Sequence, residues 1–518
     1  MKPLPPGITA AAFDRGLKSF EAIVGKNQLF VGDNDRAAYE DVYGPSMSPY
    51  HHPSAAVAPG SVEEVQAIVR AANEHRIPIW PISRGKNLGY GAAAPAMNGT
   101  VVVDLGRLNR ILEIDVKRGY ALLEPGVGFF DLYDYLEREK IPLWMSIAAN
   151  AWGSVVGNAL ERGFGYTPYG DNASQICGIE AVLPDGGMFR TGMGAQTGNP
   201  TWNLFRPGFG PDWTGMLCQS NFGIVTKLGL WLEPEPQAAA TVDVSLPNFE
   251  DIGWWIDTLA PLRLSRVLPS PPNTGNWLGV AAVASQRSQW TDSDAALTDQ
   301  QIDAIRAKMG LGWWKTTLTF HGLEGAVEAQ LKATLDAINN AGHADMKVTR
   351  WKRGDPPETA LKARPTTLPL QMTNWYGGRG GHLGFSPIVP SDGKICLERI
   401  RKAKRRFEEA DLDLYHSFTM GERYTTSIAL ITYDRDNAEM MDRVDKLFRH
   451  LVNDAREEGF GEYRTHLTYM DEVADCYDYN DHALRRLNEK LKDLIDPAGI
   501  LAPGKQGVWP ARYRGMRG

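Results

Sequence analysis

Pro81-Ile82-Ser83-Arg84-Gly85-Lys86-Asn87-Leu88-Gly89-Tyr90-Gly91 is the stretch on which the reading of this chain turns. The run Ile77 to Ile82 predicts a buried strand feeding the loop, and glycines on both sides of Tyr90 let the main chain pass close to a neighbouring group. Successive backbone N–H groups in such a loop make an anion cradle, so the stretch reads as wrapping a pyrophosphate and then presenting a phenol. Far along the chain, Tyr463-Arg464 sets a second phenol beside a guanidinium. Two tyrosine hydroxyls and an arginine gathered around one point hold an oxyanion.

Working outward, residues from about 55 to 235 alternate strand and helix signals. Ser61-Val62-Glu63-Glu64 is a capping box opening the amphipathic run Val65 to His75. Val101 to Leu105 predicts a strand, Asp131 to Lys140 a helix, and Ile179 to Leu183 with Met188 to Thr191 a hairpin over Pro184-Asp185-Gly186-Gly187. Ile224 to Leu232 predicts a closing strand, and Glu233-Pro234-Glu235-Pro236 a linker. Beyond 240, strand-like runs (241 to 246, 314 to 320, 346 to 351, 428 to 433) alternate with long helices over 323 to 340 and 438 to 458. The expectation there is an antiparallel sheet covered by helices, its strand–helix units forming two related halves. A further helix is predicted over 483 to 494. The fold class is α+β, divided into 1–238 (core about 55–235), 239–460, and a tail, 461–518, returning to the first domain.

Bulk composition narrows the function. The chain has 518 residues, 43% hydrophobic and 23% charged, which describes a globular protein of two or three domains. A net charge of −7 and no basic stripe argue against nucleic-acid binding. No apolar run reaches membrane-spanning length, and Met1-Lys2-Pro3-Leu4-Pro5-Pro6 lacks a signal-peptide core, so a cytoplasmic location is expected. Cys177, Cys218, Cys396 and Cys476 are scattered without a C-x-x-C, which excludes a zinc ribbon or haem attachment and predicts free thiols.

Together these segments resemble the vanillyl-alcohol oxidase/p-cresol methylhydroxylase family of flavoproteins over nearly the whole length. The resemblance rests on Pro81 to Gly91, on Trp152 to Asp171, on Arg190 to Ala195, on Tyr463-Arg464-Thr465-His466 and on Ile500 to Gly504, in family order. The tail from Gly461 to Pro510 is most similar to the methylhydroxylase branch. The resemblance implies a two-part FAD-binding domain plus a substrate (cap) domain. It implies FAD held by Ser83, Arg84, Gly85, Lys86, Asn87 and Leu88, by Gly153, Ser154, Val155, Gly157, Asn158 and Gly163, and by Gly223, Val225 and Lys505. The chemistry agrees, since Gly153 to Asn158 opens a helix whose N-terminus favours anions. No G-x-G-x-x-G follows the first strand, so a Rossmann site is not expected.

In substrate terms the resemblance implies oxidation of 4-alkylphenols. Tyr90, Tyr463 and Arg464 match the phenolate-holding residues, and Tyr166 a further pocket tyrosine. The implied chemistry is hydride transfer from the benzylic carbon to flavin N5, leaving a p-quinone methide that takes up water. His382 sits where one branch bonds flavin covalently, with Tyr376 as the other branch's equivalent and a noncovalent flavin as the third case. Partners implied are a small phenol, a cytochrome c-type electron acceptor and a second copy in a homodimer. In place of the aspartate that the oxidase branch carries near flavin N5 stands Ala149, within Ser146 to Trp152. Ser417 and Tyr424-Thr425-Thr426-Ser427 stand where relatives place charged or amide groups, with His416 as a candidate substitute. The leading expectation is a dehydrogenase/hydroxylase. The alternatives are an oxygen-using oxidase of the vanillyl-alcohol or eugenol type, a 2-hydroxy-acid dehydrogenase, and a flavin-binding module without catalysis.

Overall fold

The computed structural model describes residues 3–45 and 51–516; Met1 and Lys2 of the N-terminal stretch lie outside them. The opening sheet has the order Leu29–Phe30, Ala55–Val57, Val101–Asp104, Ile79–Ile82, and its last three strands run parallel. The parallel crossover is made by the helix Val62–His75, capped by Ser61, whose hydroxyl accepts from the Glu64 amide at 3.2 Å. Glu64 reaches back to the Gly60 amide at 2.6 Å, one residue before the cap, so the predicted box closes in a slightly longer form. Val65, Ile68 and Val69 on that helix join Phe13 and Phe20 of the helix Ala10–Val24 in one core with Ile79, Val101 and Val103. Being buried on both faces, these strands read as continuous apolar runs.

A five-stranded antiparallel sheet follows, ordered Ile111–Asp115, Tyr120–Leu123, Ile224–Trp231, Ile176–Val182, Met188–Arg190. Its last hairpin turns where predicted, with Gly186 at φ +82° and the Leu183 amide donating to Gly187 O at 2.7 Å. The expected linker over 233–236 is instead partly a strand. Glu233–Pro234 pairs antiparallel with Leu143–Trp144, and the Glu233 carboxylate bonds His321 Nδ1 at 2.9 Å. A two-stranded edge pair tolerates the missing proline N–H, which is why a proline-rich run can hold a strand here.

The large sheet runs Asp345–Lys352, Ala238–Leu246, Trp314–Gly322, Asn273–Asn276, Tyr415–Met420, Tyr424–Asp434, Gly380–Phe385, with Ile388–Pro390 paired to Tyr424–Thr426. Every pairing is antiparallel. The helices Glu324–Ala341 and Ala438–Glu457 pack on it through Val327, Leu331 and Ile338 and through Val444, Leu447, Phe448 and Leu451. The order strand, helix, strand, strand, helix runs uninterrupted once, from Ile388–Pro390 to Ala438–Glu457; in the first half the helices Leu278–Ala284 and Asp299–Met309 lie between Asn273–Asn276 and Trp314–Gly322. The overall class is α+β.

The tail comes back to the first sheet. Ile79 N donates to Ile500 O and Ala502 N to Ile79 O, each at 2.7 Å, extending the strand that feeds the glycine-rich loop. The buried Lys492 ammonium pairs with Asp496 at 2.8 Å and donates to the carbonyls of Asn221 and Leu501, so its charge is fully met. Asn480, Asp481 and His482 are left-handed (φ +48° to +55°), so the regular right-handed helix there begins at Ala483, as predicted.

Candidate active site

One cavity of about 430 Å³ lies between the first two sheets, the large sheet and the returning tail. Ser83, Gly85, Lys86, Asn87, Leu88 and Tyr90 line it directly after their strand. Gly89 is the position where glycine is required. Its φ is +81°, and a Cβ there would sit 2.3 Å from His382 Cε1. Arg84 does not line the cavity; its guanidinium turns to Asp131 Oδ2 at 2.5 Å and Gly126 O at 3.4 Å. The opposing helix Val155–Leu160 starts at Ser154, whose hydroxyl accepts from Gly157 N at 3.0 Å and donates to Pro125 O at 2.6 Å. Gly157 allows the close approach of this helix to the loop, because a Cβ would lie 2.6 Å from Ser83 Oγ. Gly153, Ser154, Gly157, Asn158, Gly163, Gly223, Val225 and Lys505 all face the cavity. Val155 does not: it is buried in the core behind the helix, on the face opposite Gly157.

The tail supplies the phenol and guanidinium. A bridge between Pro387 and Glu462 and the bond from Ile388 N to Gly461 O (3.0 Å) seat the segment against the large sheet. The Arg464 guanidinium then lies 4.0 Å from the centre of the Tyr90 ring and donates to Asn87 Oδ1, while its Nε has no partner among the described residues. Tyr463 packs edge-on to Phe164, 5.9 Å between ring centres. Gly384 leaves room for Tyr90, since a Cβ there would fall 2.8 Å from the Tyr90 hydroxyl oxygen. Tyr90, Tyr166, Tyr463 and Arg464 therefore share one cavity.

Electrostatics follow from burial. Burial, with Tyr90 and Tyr166 nearby, pushes the Tyr463 phenol well above its ordinary range despite the Arg464 charge. Tyr166 is raised likewise, by burial first and then by Tyr415 and Tyr90. Both stay protonated donors at any physiological pH. Burial alone would weaken the Arg464 cation, but Tyr90, Tyr463 and Glu161 more than offset this. Glu161, half-buried and ion-paired with Lys505 at 2.5 Å, has its pKa lowered because Lys505 and Arg464 outweigh the desolvation that would raise it.

His382 lines the cavity behind Gly89, its ring 5.2 Å from that of Tyr43, with Nδ1 unpartnered among the described residues. Burial lowers its pKa to about 4, so the imidazole is neutral and its nitrogen carries a free lone pair or proton. Behind it stands the pair Asp41–His466, 2.6 Å apart. Tyr376 is elsewhere: its hydroxyl accepts from the Asp413 amide at 2.6 Å and its ring packs in the cores of the large sheet. His416 is also turned away. It bonds Ser427 Oγ at 3.0 Å, burial lowers it to about 3, and strand alternation sends Ser417, not His416, into the cavity. Thr425, Thr426 and Ser427 are buried without lining the cavity.

Sequence reasoning missed several groups here. Asn273, Tyr415 and Thr419 line the wall made by the large sheet; Ala149, singled out from the sequence, lines the cavity too. The alternation Tyr415-x-Ser417-x-Thr419 was the one available signal. Glu462, immediately before the phenol, is buried with Oε1 accepting from Ser386 N at 3.1 Å, and burial drives its carboxyl far above the usual range. Among the described residues no cluster of metal-ligating side chains occurs, and no helix is long and apolar enough to cross a membrane.

The donors fit a dinucleotide: glycine-lined backbone, a helix N-terminus, Lys505, and two orphaned buried nitrogens on His382 and Arg464. Comparisons agree. Residues 53–192 match the model of an FAD binding domain and 280–506 that of the C-terminal domain of FAD linked oxidases. The chain is 35% identical over 98% of its length to the 4-cresol dehydrogenase [hydroxylating] flavoprotein subunit of Pseudomonas putida, covering 97% of that protein. The structure of p-cresol methylhydroxylase with substrate bound superposes with a TM-score of 0.92 at 34% identity, covering 98% of this chain and 99% of that one. A 4-ethylphenol oxidase from Gulosibacter chungangensis, in complex with isoeugenol, gives a TM-score of 0.94 at 33% identity over 99% and 100%.

Proposed function

The chain belongs to the vanillyl-alcohol oxidase/p-cresol methylhydroxylase family of FAD-dependent oxidoreductases, and on that premise we propose that it oxidises 4-alkylphenols at the benzylic carbon. The observation that carries this reading is that Tyr90, Tyr463 and the half-buried Arg464 line one cavity, the guanidinium 4.0 Å from the centre of the Tyr90 ring. A free phenol has a pKa of roughly 10 and arrives protonated. A fixed guanidinium and two tyrosine hydroxyls lower that value by stabilising the anion. The phenolate then pushes electron density to the para carbon and weakens its benzylic C–H bond. Bound FAD supplies the two-electron acceptor for that hydride. Loss of hydride leaves the ring as a p-quinone methide, and addition of water at the benzylic carbon restores the phenol as a benzylic alcohol. Ser83, Gly85 to Leu88, Gly153, Ser154, Gly157, Asn158, Gly163, Gly223, Val225 and Lys505 hold the cofactor in this reading. His382 is its point of covalent attachment, through the nitrogen left unpartnered beside Gly89.

Electrons leave to a cytochrome c-type acceptor, in a homodimeric assembly. Support for this comes from Ala149, which puts a methyl group where the oxidase branch has a carboxylate, and from the relative named as a flavoprotein subunit. A second reading, return of electrons to oxygen, is favoured by the likeness to a 4-ethylphenol oxidase. Anaerobic mixing with 4-ethylphenol followed by air separates them. The dehydrogenase reading expects bleached flavin that stays bleached in air and recovers with a cytochrome or dye. Rapid recolouring with peroxide makes the protein an oxidase, and no bleaching with any 4-alkylphenol sinks the proposal.

A further inference from the structure

The two ends of the cavity differ in kind. All the ionic side chains that line it, Lys86, Glu161, Arg464 and Lys505, come from the loop, the capped helix and the tail. They are engaged: Lys505 with Glu161, Lys86 over the Trp152 ring at 4.7 Å, Arg464 over Tyr90. The wall from the large sheet instead carries hydroxyls, one amide and the aliphatic Ile428 and Leu430, with the neutral His382 imidazole at its far strand. Asn273 Nδ2 donates to Thr419 Oγ1 at 2.8 Å and to Ser417 Oγ at 3.5 Å. Asn273 also lies near enough to the Tyr166 phenol, and Ser417 to that of Tyr415, to favour the ionisation of each. Tyr166 lies close enough to both Tyr90 and Tyr415 for each to oppose its ionisation, so it bridges the phenolate end and this wall.

We propose, resting on the phenol-oxidising reading above, that this wall receives the para side chain and selects 4-hydroxyphenyl substrates whose side chain carries an uncharged, hydrogen-bond-accepting oxygen beyond the benzylic carbon. With the phenolate oxygen at Tyr90, Tyr463 and Arg464, the substituent on the opposite ring carbon points away from them, toward Asn273, Ser417, Thr419 and Tyr415. These groups together with Tyr166 carry six N–H and O–H protons, and only two hydrogen bonds run between their side chains, so protons remain for a ligand oxygen. A side-chain carboxylate finds no spare cation here and an ammonium no carboxylate, and burying either without a partner is costly. A plain alkyl chain fits the space and leaves those protons unanswered. The absence of any ionic group on this wall among the described residues is thus a filter for polarity without charge.

The test compares two phenols of equal heavy-atom count, 4-butylphenol and 4-(3-hydroxypropyl)phenol, by anaerobic flavin bleaching with the holoprotein. The parent is expected to favour the hydroxylated compound about tenfold in the ratio of reduction rate to half-saturation, the scale of one satisfied hydrogen bond. In Thr419→Val and in Asn273→Leu, each checked for retained FAD, that ratio is expected to fall to within about twofold of unity, whatever happens to either rate. Equal ratios in the parent, a preference for the alkyl compound, or a preference that survives both variants overturns the inference while leaving phenol oxidation standing. Bleaching by neither compound overturns the phenol reading itself.

Discussion

The loop-and-tail wall and the sheet wall of the cavity handle charge in opposite ways. On the first, every ion is half-buried and answered: Arg464 by Tyr90 and Asn87, Lys505 by Glu161, Lys86 by the Trp152 ring. Such a region is preorganised, because its charges are fixed before a ligand arrives, and that is what stabilising a developing anion demands. On the second, only neutral groups appear, and the donors among them are linked strand to strand across Asn273 and Ser417. In the reading proposed above, the difference assigns the reaction to one wall and the choice of side chain to the other.

The comparison breaks most visibly at the guanidinium. Arg464→Ala or Tyr463→Phe is expected to slow flavin reduction by a 4-alkylphenol by about a thousandfold or more, since each removes a donor to the developing anion. Ser417→Ala, on the neutral wall, is expected to cost less than about tenfold. Stopped-flow reduction of the three variants checks the contrast, and equal losses would erase the distinction between the walls. Next in size is Gly89→Ala, where a Cβ 2.3 Å from the His382 ring at a left-handed φ forces loop and imidazole apart. FAD content after purification is expected to fall severalfold, and acid-denatured protein to lose whatever bound colour the parent retains.

The smallest effect sharpens the seam between the walls. Glu462 has a folded pKa far above its unfolded value of about 4.3, so its contribution is fully favourable only below that value and is lost as pH rises. Glu462→Gln removes this slope. The melting temperature of the variant is expected to exceed the parent's by about 2 °C or more at pH 8, with the gap closing toward pH 5. A gap that widens toward acid would reverse the assignment of Glu462 as a neutral buried acid.

What could be read from sequence divides along the same line. The glycine-rich loop, the Ser61 and Ser154 caps and the Tyr463-Arg464 pair are local signals, in which residue type alone dictates conformation or charge. Membership of the motif did not say which way each side chain points. Arg84 turns to Asp131 and Val155 into the core, although their neighbours face the cavity. The sheet wall was hidden because Asn273–Asn276 meets Tyr415–Met420 only through a long-range strand pairing. His416 and Ser417 exchange faces with a one-residue shift of register, and only the observed pairing with Tyr424–Asp434 fixes which one enters the site. Tyr376 failed for a related reason: its hydroxyl is held by the Asp413 amide, a contact invisible in local sequence.

The central claim is that the Tyr90–Tyr463–Arg464 corner binds a phenol as its anion. The ultraviolet difference spectrum of a 4-halophenol, which has no benzylic C–H to oxidise, bound to the holoprotein at pH 7 tests it most directly. The phenolate band is expected on binding to the parent and is expected to vanish in Arg464→Ala. A neutral-phenol spectrum in the parent, or an unchanged phenolate band without the guanidinium, would contradict the account.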